Sequence, residues 1–515
     1  MLTAIDFYKA DHRSQYPLGT QMVYSNLTPR SNKIMKRTYP DHDDKVVVLL
    51  RPAIARMVEG WQRDFFDKPL KEVLAKYKNR MDKSLGPGAI TFDHIKALHE
   101  LGYLPIAINT IPDGATVKVG TPVFTMFNTV PDFFWITNYL ETQLSAMTWR
   151  PMTVATIARE YRKLLDGFAD MTCDSNDHVA FQAHDFSARG LDGLDGMRGQ
   201  VGHLMYFLGT DTVFAIDEVE DHYVVDPEDP IGMSVPATEH SVMCMGGKES
   251  EMETFRRLMK IYPQGILSVV SDTWDYWKVL TEILPALKGE ILARQPILDP
   301  DGNIVVLGKL VVRPDSGDPV KIITGYALDE YEYDENGIAR CVVTGKALTT
   351  EEIKGSIVVL DELFGSTINS KGYRELHPQI GLIYGDSITY ERAKTILGRL
   401  KDKGYASNNV VFGIGSFTYQ YLTRDTLGFA VKATFGIIDK EQVSIQKDPA
   451  TDDGTKKSAK GILEVDTDGN LHQFSNFEEV SNWVDQNDSL LDCILLNGQL
   501  EYKQEWNDVR NRASM

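Results

Sequence analysis

Short apolar runs alternate with helical segments through the middle of this chain, and each run ends in a charged or glycine-rich tip. The first run, Val179–Ala183, predicts a buried strand that leads into His184, Asp185 and Phe186. Comparable tips follow the later runs: Gly209–Asp211, Glu239–His240, Ser271–Asp275, Arg313–Gly317, Gly385–Asp386 and Gly413–Ser416. Strands that deliver such tips, each followed by a helix, build the ligand pocket at one face of a (β/α) barrel.

Helical periodicity supports this interpretation after two of the runs. Ser250 and Glu253 have the spacing of a capping box, and apolar residues follow at helical spacing. A second apolar stripe runs from Ala393 to Leu400, just after the tip at Gly385–Asp386. Nearer the N-terminus, the stretch 141–165 predicts a helix that is interrupted around Pro151.

The alternation of strand and helix is interrupted between residues 320 and 378. This stretch contains Asp334–Gly337, a sequence typical of a hairpin turn, followed by a β-type run. We therefore expect a β insertion between two strands of the barrel.

Composition excludes several classes of function. The 515 residues are 43% hydrophobic and carry a net charge of −19, so the surface should repel nucleic acid and anionic membranes. The four cysteines show no paired spacing and are expected to be free thiols in a reducing compartment. No signal peptide and no membrane-spanning run is evident, which favours a cytoplasmic protein.

Two tips carry charged side chains that could bind a ligand, and each has a structural alternative. Arg313 suits an amide oxygen or a phosphate, and Asp315 suits ribose hydroxyls or magnesium. The two could equally form a structural ion pair. Asp211 could accept a hydrogen bond from a ligand amino group, or it could cap the following helix.

A glycine-rich tip and a histidine complete the set of candidates. Gly413–Ser416 follows an apolar strand and fits a phosphate cradle, although a tight turn without a ligand is the simpler interpretation. His240 next to Glu239 could act as a base, a nucleophile or a phosphate acceptor, although lone histidines are usually structural. The sequence lacks a complete P-loop, a dinucleotide fingerprint, zinc-ligand spacing and a nucleophile elbow.

The order and identity of these motifs resemble the nicotinamide phosphoribosyltransferase family of type II phosphoribosyltransferases, which is related to nicotinate phosphoribosyltransferase. The motifs that carry the resemblance run from residue 6 to about residue 461: Asp6–His12, Tyr24–Ser25 with Arg30, Trp149–Thr156, His184–Phe186, Gly209–Thr212, Ser234–Ser241, Val270–Asp272, Arg313–Gly317, Gly385–Asp386 and Leu422–Asp425. Ser234–Ser241 and Arg313–Gly317 are the most specific of them. Ser416 departs from the pattern, because the family usually has glycine there.

The resemblance implies a particular fold and domain organisation. An irregular α/β barrel should occupy residues 176–415, including the insertion at about 320–378. Residues 1–175 and 416–515 should together form an α+β domain. The family is a homodimer in which each active site borrows residues from the other subunit.

The resemblance also assigns roles to individual residues. Phe186, with Tyr8 of the second subunit, should sandwich a pyridine ring. Asp211 should accept the carboxamide N–H₂, and Arg313 should donate to its oxygen. Asp315, Gly385 and Asp386 should hold ribose, and Gly415 and Ser416 should bind the 5′-phosphate. The remaining substrate-binding positions are Arg30, Arg189, Asp275, Arg424, Lys432, Lys447 and Lys456. His240 matches a phosphorylated histidine, with Glu239 beside it.

The implied reaction joins nicotinamide to phosphoribosyl pyrophosphate in NAD salvage. Magnesium would be the cofactor and ATP a co-substrate hydrolysed through the phosphohistidine. Nicotinate phosphoribosyltransferase is the alternative enzyme, and Asp211 disfavours it because a carboxylate repels a ligand carboxylate. A silent ligand-binding or signalling protein of the same fold is the alternative outside catalysis, and the complete set of implied site residues argues against it.

Overall fold

A computed structural model describes residues 1–446, 459–501 and 503–514. Its two main sheets have different architectures: one is parallel and lies in the middle of the chain, and the other is antiparallel and draws strands from both ends. The strands are β1 Thr20–Pro29, β2 Lys45–Val47, β3 Ile106–Thr110, β4 Thr116–Lys118, β5 Phe124–Asn128, β6 Ala183–Asp185, β7 Ile266–Val270, β8 Ile297–Leu298, β9 Ile304–Val306, β10 Lys309–Arg313, β11 Tyr331–Tyr333, β12 Ala339–Cys341, β13 Ser366–Ile368, β14 Arg374–Leu376, β15 Ile380–Tyr384, β16 Val410–Ile414, β17 Phe429–Ile438, β18 Glu441–Ser444, β19 Ile462–Val465, β20 Leu471–Phe474, β21 Asp492–Leu496 and β22 Gln499–Leu500.

Helices connect most of the strands, and many of them are short. The α-helices are α1 His12–Gln15, α2 Met35–Thr38, α3 Arg51–Trp61, α4 Leu70–Leu85, α5 Asp93–Leu101, α6 Ile136–Thr172, α7 Val179–Gln182, α8 Leu194–Arg198, α9 Val201–Leu204, α10 Val213–His222, α11 His240–Cys244, α12 Glu251–Ile261, α13 Tyr276–Lys278, α14 Leu284–Leu292, α15 Pro319–Thr324, α16 Thr350–Lys354, α17 Ser356–Phe364, α18 Tyr390–Asp402, α19 Ser416–Tyr419, α20 Phe477–Val484 and α21 Trp506–Ser514. No helix in the described part of the chain is both long and apolar enough to cross a membrane.

The parallel strands form an irregular barrel. The hydrogen-bonded order is β6-β16-β15-β10-β7, and every neighbouring pair is parallel. Isolated parallel bridges continue the ring from β6 to the segment at Gly209–Thr210, then to Met233, and from Ala237 back to β7. The predicted (β/α) barrel is therefore present. Two of its strand positions, at Gly209–Thr210 and at Met233–Ala237, are extended segments joined to their neighbours by isolated bridges.

The barrel strands are nearly continuous apolar runs because helices cover their outer faces. Four of the five residues of β7 are buried, and β15 and β16 follow the same pattern. Their carboxyl ends all reach one rim, so the tips that follow these strands meet there.

The antiparallel sheet joins the two ends of the chain. Its order is β18-β17-β1-β5-β3-β21-β22, which alternates strands from the N-terminal part with strands from beyond residue 428. The helix α6 packs against β1, β2, β5 and β17, and it also contacts α9 near the barrel. Strand β1 pairs with β17 antiparallel, so the two terminal parts of the chain share this sheet.

Three local predictions were wrong. Val179–Gln182 is a turn of helix, and the strand begins only at Ala183, because a short apolar run does not distinguish a strand from a buried helical turn. Helix α6 continues through Pro151 without interruption, since its packing outweighs the backbone hydrogen bond that proline removes. Ser250 donates to the carbonyl of Gly246 and forms no capping box with Glu253.

The insertion after β10 is more mixed than predicted. The turn at Asp334–Gly337 does connect an antiparallel hairpin, β11–β12, and a second hairpin, β13–β14, follows it. Helices α15, α16 and α17 lie in the same stretch, and a capping box between Thr349 and Glu352 begins α16. The insertion is therefore α/β in character.

Candidate active site

An aromatic ring lies at the centre of the barrel rim. Phe186 follows β6, and its backbone N–H donates to the carbonyl of Ile414 on β16 over 2.9 Å. The guanidinium carbon of Arg313 lies 5.7 Å from the centre of the Phe186 ring, and the ring of His184 lies 4.5 Å away. A β-carbon at Gly413 would stand 2.7 Å from Cδ2 of Phe186. Glycine at 413 therefore allows the Phe186 ring to pack directly against the backbone of β16.

Asp211 follows the extended segment Gly209–Thr210, which lies next to β6 in the barrel, and it is held by two side chains. Its Oδ1 accepts hydrogen bonds from Nε2 of His184 at 2.9 Å and from Oγ of Ser234 at 2.6 Å. Burial would raise the pKa of Asp211, but these two hydrogen bonds and the positive charge of Arg313 outweigh it and lower the pKa. Thr212 occupies the N-cap position of helix α10, so Asp211 is not the helix cap that the sequence left open. It is an ionised acceptor at the rim.

Arg313 and Asp315 lie side by side at the end of β10. Arg313 is buried and donates to the carbonyl of Thr238 at 2.6 Å, while its Nε is 3.5 Å from Oδ1 of Asp315. Neither of those two atoms has a hydrogen-bond partner among the described residues. Burial raises the pKa of Asp315, and Arg313 opposes the rise. Unpaired buried donors and acceptors are costly, so a ligand that bonds them would be stabilising.

His240 faces two carboxylates from other strands. Its Nε2 lies 3.7 Å from Oδ1 of Asp272 and 3.9 Å from Oδ2 of Asp315, and its Nδ1 lies 3.3 Å from the hydroxyl of Thr273. The side chain is about half exposed. Glu239, its neighbour in sequence, accepts a hydrogen bond from Ser241 instead. The acid beside His240 in space is thus Asp272, to which the sequence analysis gave no role.

Asp272 is also a candidate ligand for the expected magnesium ion. Its Oδ2 accepts from the backbone N–H of Asp315 at 2.9 Å, and its Oδ1 is buried with no hydrogen-bond partner in the described part of the chain. Carboxylate oxygens are the ligands that Mg²⁺ prefers, so Asp272 and Asp315 fit the ion chemically.

A tighter cluster of possible metal ligands lies away from the rim. Among the described residues, His42, Asp43 and Glu160 bring one ligand atom each within 4.8 Å of one another. Arg159 forms two hydrogen bonds to Asp43, and Lys163 forms two to Glu160. These cations already neutralise the acids, which makes the cluster an ion-pair network.

The phosphate cradle predicted at Gly413–Ser416 lies where β16 ends. Gly415 and Ser416 lead into α19, so their backbone N–H groups stand at a helix start. Arg150, which is buried, donates to the carbonyl of Tyr419 at 2.9 Å and fixes the far end of this turn. A β-carbon at Gly190 would stand 2.6 Å from Cβ of Ser416, so the loop that carries Arg189 packs closely on the cradle.

Gly385 and Asp386 follow β15, and a β-carbon at Gly385 would meet the Asp315 carboxylate. The other predicted residues fall into three groups. Tyr8, Arg30, Arg424 and Lys432 belong to the N- and C-terminal parts of the chain. Tyr8 is 62% exposed, and burial and then Asp6 raise its pKa, with nearby Arg424 opposing. Asp275 accepts a hydrogen bond from the backbone N–H of Lys278 and caps α13, which gives it a structural role. Lys447 and Lys456 lie outside the described residues.

The barrel rim therefore collects residues from all seven predicted tips, including Gly385, whose added β-carbon would meet Asp315. A continuous series of contacts runs from Asp211 through His184, Phe186 and Arg313 to Asp315 and His240. Sequence reasoning missed the contributions of His184, Ser234 and Asp272. All three stand in motifs that the sequence analysis had singled out, so proximity to a strand end was the available signal.

A parallel barrel with its polar side chains gathered at the carboxyl ends of the strands defines this protein as a (β/α)-barrel enzyme. The sequence pattern of the nicotinate phosphoribosyltransferase (NAPRTase) family matches residues 181–480. The chain belongs to this family.

Full-length relatives agree with the family assignment. The chain is 48% identical to the nicotinamide phosphoribosyltransferase of Acinetobacter baylyi over 519 aligned positions, which cover 100% of this chain and 97% of that protein. It is 33% identical to the protein of the same name from Mycoplasma pneumoniae, covering 89% and 94% of the two chains.

Solved structures share the fold. A crystal structure of nicotinate-nucleotide pyrophosphorylase from Pyrococcus furiosus superposes with a TM-score of 0.54 at 12% identity, covering 99% of this chain and 93% of that one. Human nicotinic acid phosphoribosyltransferase superposes with a TM-score of 0.53 at 16% identity, covering 100% and 93%. At these identities the likeness concerns the fold alone.

Proposed function

We propose that this protein is a nicotinamide phosphoribosyltransferase, which makes nicotinamide mononucleotide and pyrophosphate from nicotinamide and phosphoribosyl pyrophosphate. The observation that carries the proposal is Asp211, an ionised acceptor held by Ser234 and by His184, whose ring packs beside Phe186. The names of the relatives from Acinetobacter baylyi and Mycoplasma pneumoniae support the same activity.

The nicotinamide subsite follows from the groups around Phe186. A pyridine ring stacked on Phe186 would place its carboxamide between Asp211 and Arg313, one of which accepts and the other donates. Nicotinate carries a carboxylate in place of the amide, and Asp211 would repel it. The arrangement therefore favours the amide over the acid.

The ribose and phosphate subsites would continue along the rim. Asp315 and Asp386 offer acceptors for ribose hydroxyls, and Gly385 leaves room for the Asp315 carboxylate. Gly415 and Ser416 offer backbone N–H groups to the 5′-phosphate, with Arg189 nearby.

The chemistry requires positioning and charge neutralisation. The lone pair of the ring nitrogen forms a bond to C1 of the ribose as the bond from C1 to the pyrophosphate oxygen breaks. Positive charge develops on the ribose, and the Asp315 carboxylate would stabilise that charge. No strong base is needed because the nucleophile is an uncharged nitrogen. Mg²⁺, when bound, would neutralise the departing pyrophosphate.

A homodimer would complete each site. Tyr8, Arg30, Arg424 and Lys432 belong to the terminal parts of the chain, and Tyr8 is largely exposed. In a symmetric pair, the Tyr8 ring of one subunit could cover the pyridine bound by the other. The three basic side chains would then face phosphate or pyrophosphate.

ATP hydrolysis would couple to synthesis through His240. Its imidazole is accessible, and its Nε2 lies near two carboxylates that can orient the ring. Transient phosphorylation at this histidine would place a dianion beside the pyrophosphate subsite. We expect the coupling to draw synthesis forward.

The experiment that tests the function is a side-by-side assay of the purified protein. Phosphoribosyl pyrophosphate and Mg²⁺ are supplied with nicotinamide or with nicotinate, each with and without ATP, and mononucleotide is measured. A strong preference for nicotinamide supports the proposal. A preference for nicotinate assigns the related activity, and absence of product with both bases points to a ligand-binding role.

A further inference from the structure

Two hydrogen-bond donors from different segments of the barrel bond a single oxygen of Asp211. His184 stands at β6, and Ser234 follows the bridge at Met233. Both donate to Oδ1, at 2.9 and 2.6 Å. The other oxygen, Oδ2, accepts no hydrogen bond from the residues that the structure describes. The carboxylate is thus anchored at one oxygen and open at the other.

The imidazole of His184 is itself fixed in place. An ionised carboxylate can only accept, so Nε2 must carry the proton that faces Asp211. One side of the ring packs toward Phe186, with ring centres 4.5 Å apart. On another side, a β-carbon at Gly209 would stand 2.9 Å from Nδ1. A larger residue at 209 would displace the ring, so glycine there lets it keep its hydrogen bond to Asp211.

We propose that His184 and Ser234 are positioning residues that determine the preference for nicotinamide by presenting Oδ2 of Asp211 to the carboxamide. This inference rests on the proposed function. A carboxylate without its two anchors could rotate about χ1 and χ2 and would spend less time in the orientation that accepts the amide. The hydrogen bonds also keep the group ionised, which maintains repulsion of nicotinate. Loss of the anchors should therefore reduce both recognition of the amide and exclusion of the acid.

The test uses variants that remove or keep each donor. Ser234→Ala and His184→Leu remove them, while Ser234→Thr and His184→Gln keep a donor at each position. For each variant, kcat and KM are measured for nicotinamide, nicotinate and phosphoribosyl pyrophosphate. We expect the two donor-removing variants to lose about tenfold or more in kcat/KM for nicotinamide, mainly through KM, and the donor-keeping variants to stay near the parent.

Matched controls come from the C-terminal part of the chain. Ser489 donates to Glu464 at 2.6 Å, and His472 lies 2.8 Å from Asp466, so each reproduces one of the two anchors far from the barrel rim in sequence. Ser489→Ala and His472→Leu should leave the nicotinamide-to-nicotinate ratio and the KM for phosphoribosyl pyrophosphate unchanged.

The outcomes separate this inference from the proposed function. If Ser234→Ala and His184→Leu keep the parent's KM for nicotinamide and its ratio of nicotinamide to nicotinate use, the inference is wrong. It is also wrong if the KM for phosphoribosyl pyrophosphate rises equally, because that indicates general structural damage. If the unmodified protein makes no mononucleotide from nicotinamide, the proposed function itself fails before any variant is compared.

Discussion

Gly385 lies directly against the carboxylate of Asp315. A β-carbon at position 385 would stand 3.0 Å from Cγ of Asp315 and closer still to Oδ1. The two residues follow neighbouring parallel strands, β15 and β10, so the close approach is a product of barrel closure. Glycine at 385 is therefore needed to let Asp315 lie at the rim.

Gly385→Ala should inactivate the enzyme without unfolding it. The added methyl group displaces the Asp315 carboxylate, and a shift of about 1 Å in a site residue can cost about a hundredfold in rate. We expect kcat/KM for mononucleotide synthesis to fall by about that factor. The assay is run beside a thermal melt, because a large loss of Tm would show that the substitution acts on the fold.

Gly398→Ala is the matched control for this substitution. Gly398 lies inside α18, and a β-carbon there would have no heavy atom within 4 Å by the same construction. Alanine in place of a helical glycine should stabilise the protein by about 0.5–1 kcal/mol and leave activity unchanged. If Gly385→Ala is as active as Gly398→Ala, then the position of the Asp315 carboxylate does not matter for the reaction.

The strand tips could be predicted from sequence because each follows an apolar run and carries chemically distinctive residues. Their partners could not be predicted, because barrel closure decides which tips meet. His240 shows this: Glu239 is adjacent in sequence, yet Asp272 and Asp315 are the carboxylates beside its ring. Asp275 illustrates a different error. It was predicted to bind substrate because it lies in a strand tip, but its carboxylate caps the next helix.

Errors in secondary structure had a different origin. Val179–Ala183 is too short for its periodicity to identify a strand. Pro151 predicted a break because local propensity disfavours proline in a helix, but α6 is buried along most of its length and tertiary packing decides its shape. The first mistake did not displace the tip at His184–Phe186, because the helical turn Val179–Gln182 leads directly into β6.

Asp211→Asn should reduce the use of nicotinamide much more than it reduces stability. The amide at 211 loses the charge that accepts the carboxamide N–H₂, and a hydrogen bond to a charged group is worth about tenfold to a hundredfold in affinity. We expect kcat/KM for nicotinamide to fall by that range and nicotinate to be used at least as well as before. Steady-state kinetics with both bases provide the measurement.

Asp217→Asn is the control, since Asp217 is an exposed acid on the following helix, α10. It should behave like the parent with both bases. Unchanged nicotinamide turnover in Asp211→Asn would contradict the assignment of Asp211 as the carboxamide acceptor.

Mixed dimers should restore activity to two inactive variants. Tyr8→Ala removes the ring that one subunit is proposed to supply, and Asp211→Ala removes the acceptor of the other. In a symmetric dimer with shared sites, random exchange of the two variants regenerates about a quarter of the sites. The variants are unfolded and refolded together, and synthesis is compared with that of each variant refolded alone. Activity no greater than the sum of the separate samples would argue against shared sites.

His240→Ala should uncouple ATP from synthesis. If the imidazole carries the phosphoryl group, its removal abolishes stimulation by ATP while basal mononucleotide formation from phosphoribosyl pyrophosphate persists. The comparison is the ratio of rates with and without ATP in parent and variant. His99→Ala, at a histidine on α5 that bonds only the carbonyl of Lys68 among the described residues, should keep the parent's ratio. An identical response to ATP in His240→Ala and the parent would exclude the phosphoryl role.

Glu251, at the start of α12, gives the protein a pH-dependent element of stability. Its side chain is buried at the start of α12, and Oε1 has no hydrogen-bond partner among the described residues. Burial, and then the charge of Asp275, raises the pKa of Glu251 from 4.5 to about 7, with Lys248 opposing. The folded protein thus keeps a proton that the unfolded chain releases between these values. Stability falls as pH rises through this window and stays lower above it.

Glu251→Gln should remove this penalty. A neutral side chain of the same shape has no proton to lose, so the variant should melt about 2 °C or more above the parent at pH 8. Most of the difference should disappear by pH 5, where the folded parent is protonated. Glu253→Gln on the same helix is the control, because the Glu253 side chain is 65% exposed and its removal should not change the pH dependence. Parallel Tm curves for Glu251→Gln and the parent across pH 5–8 would show that burial does not perturb this carboxyl.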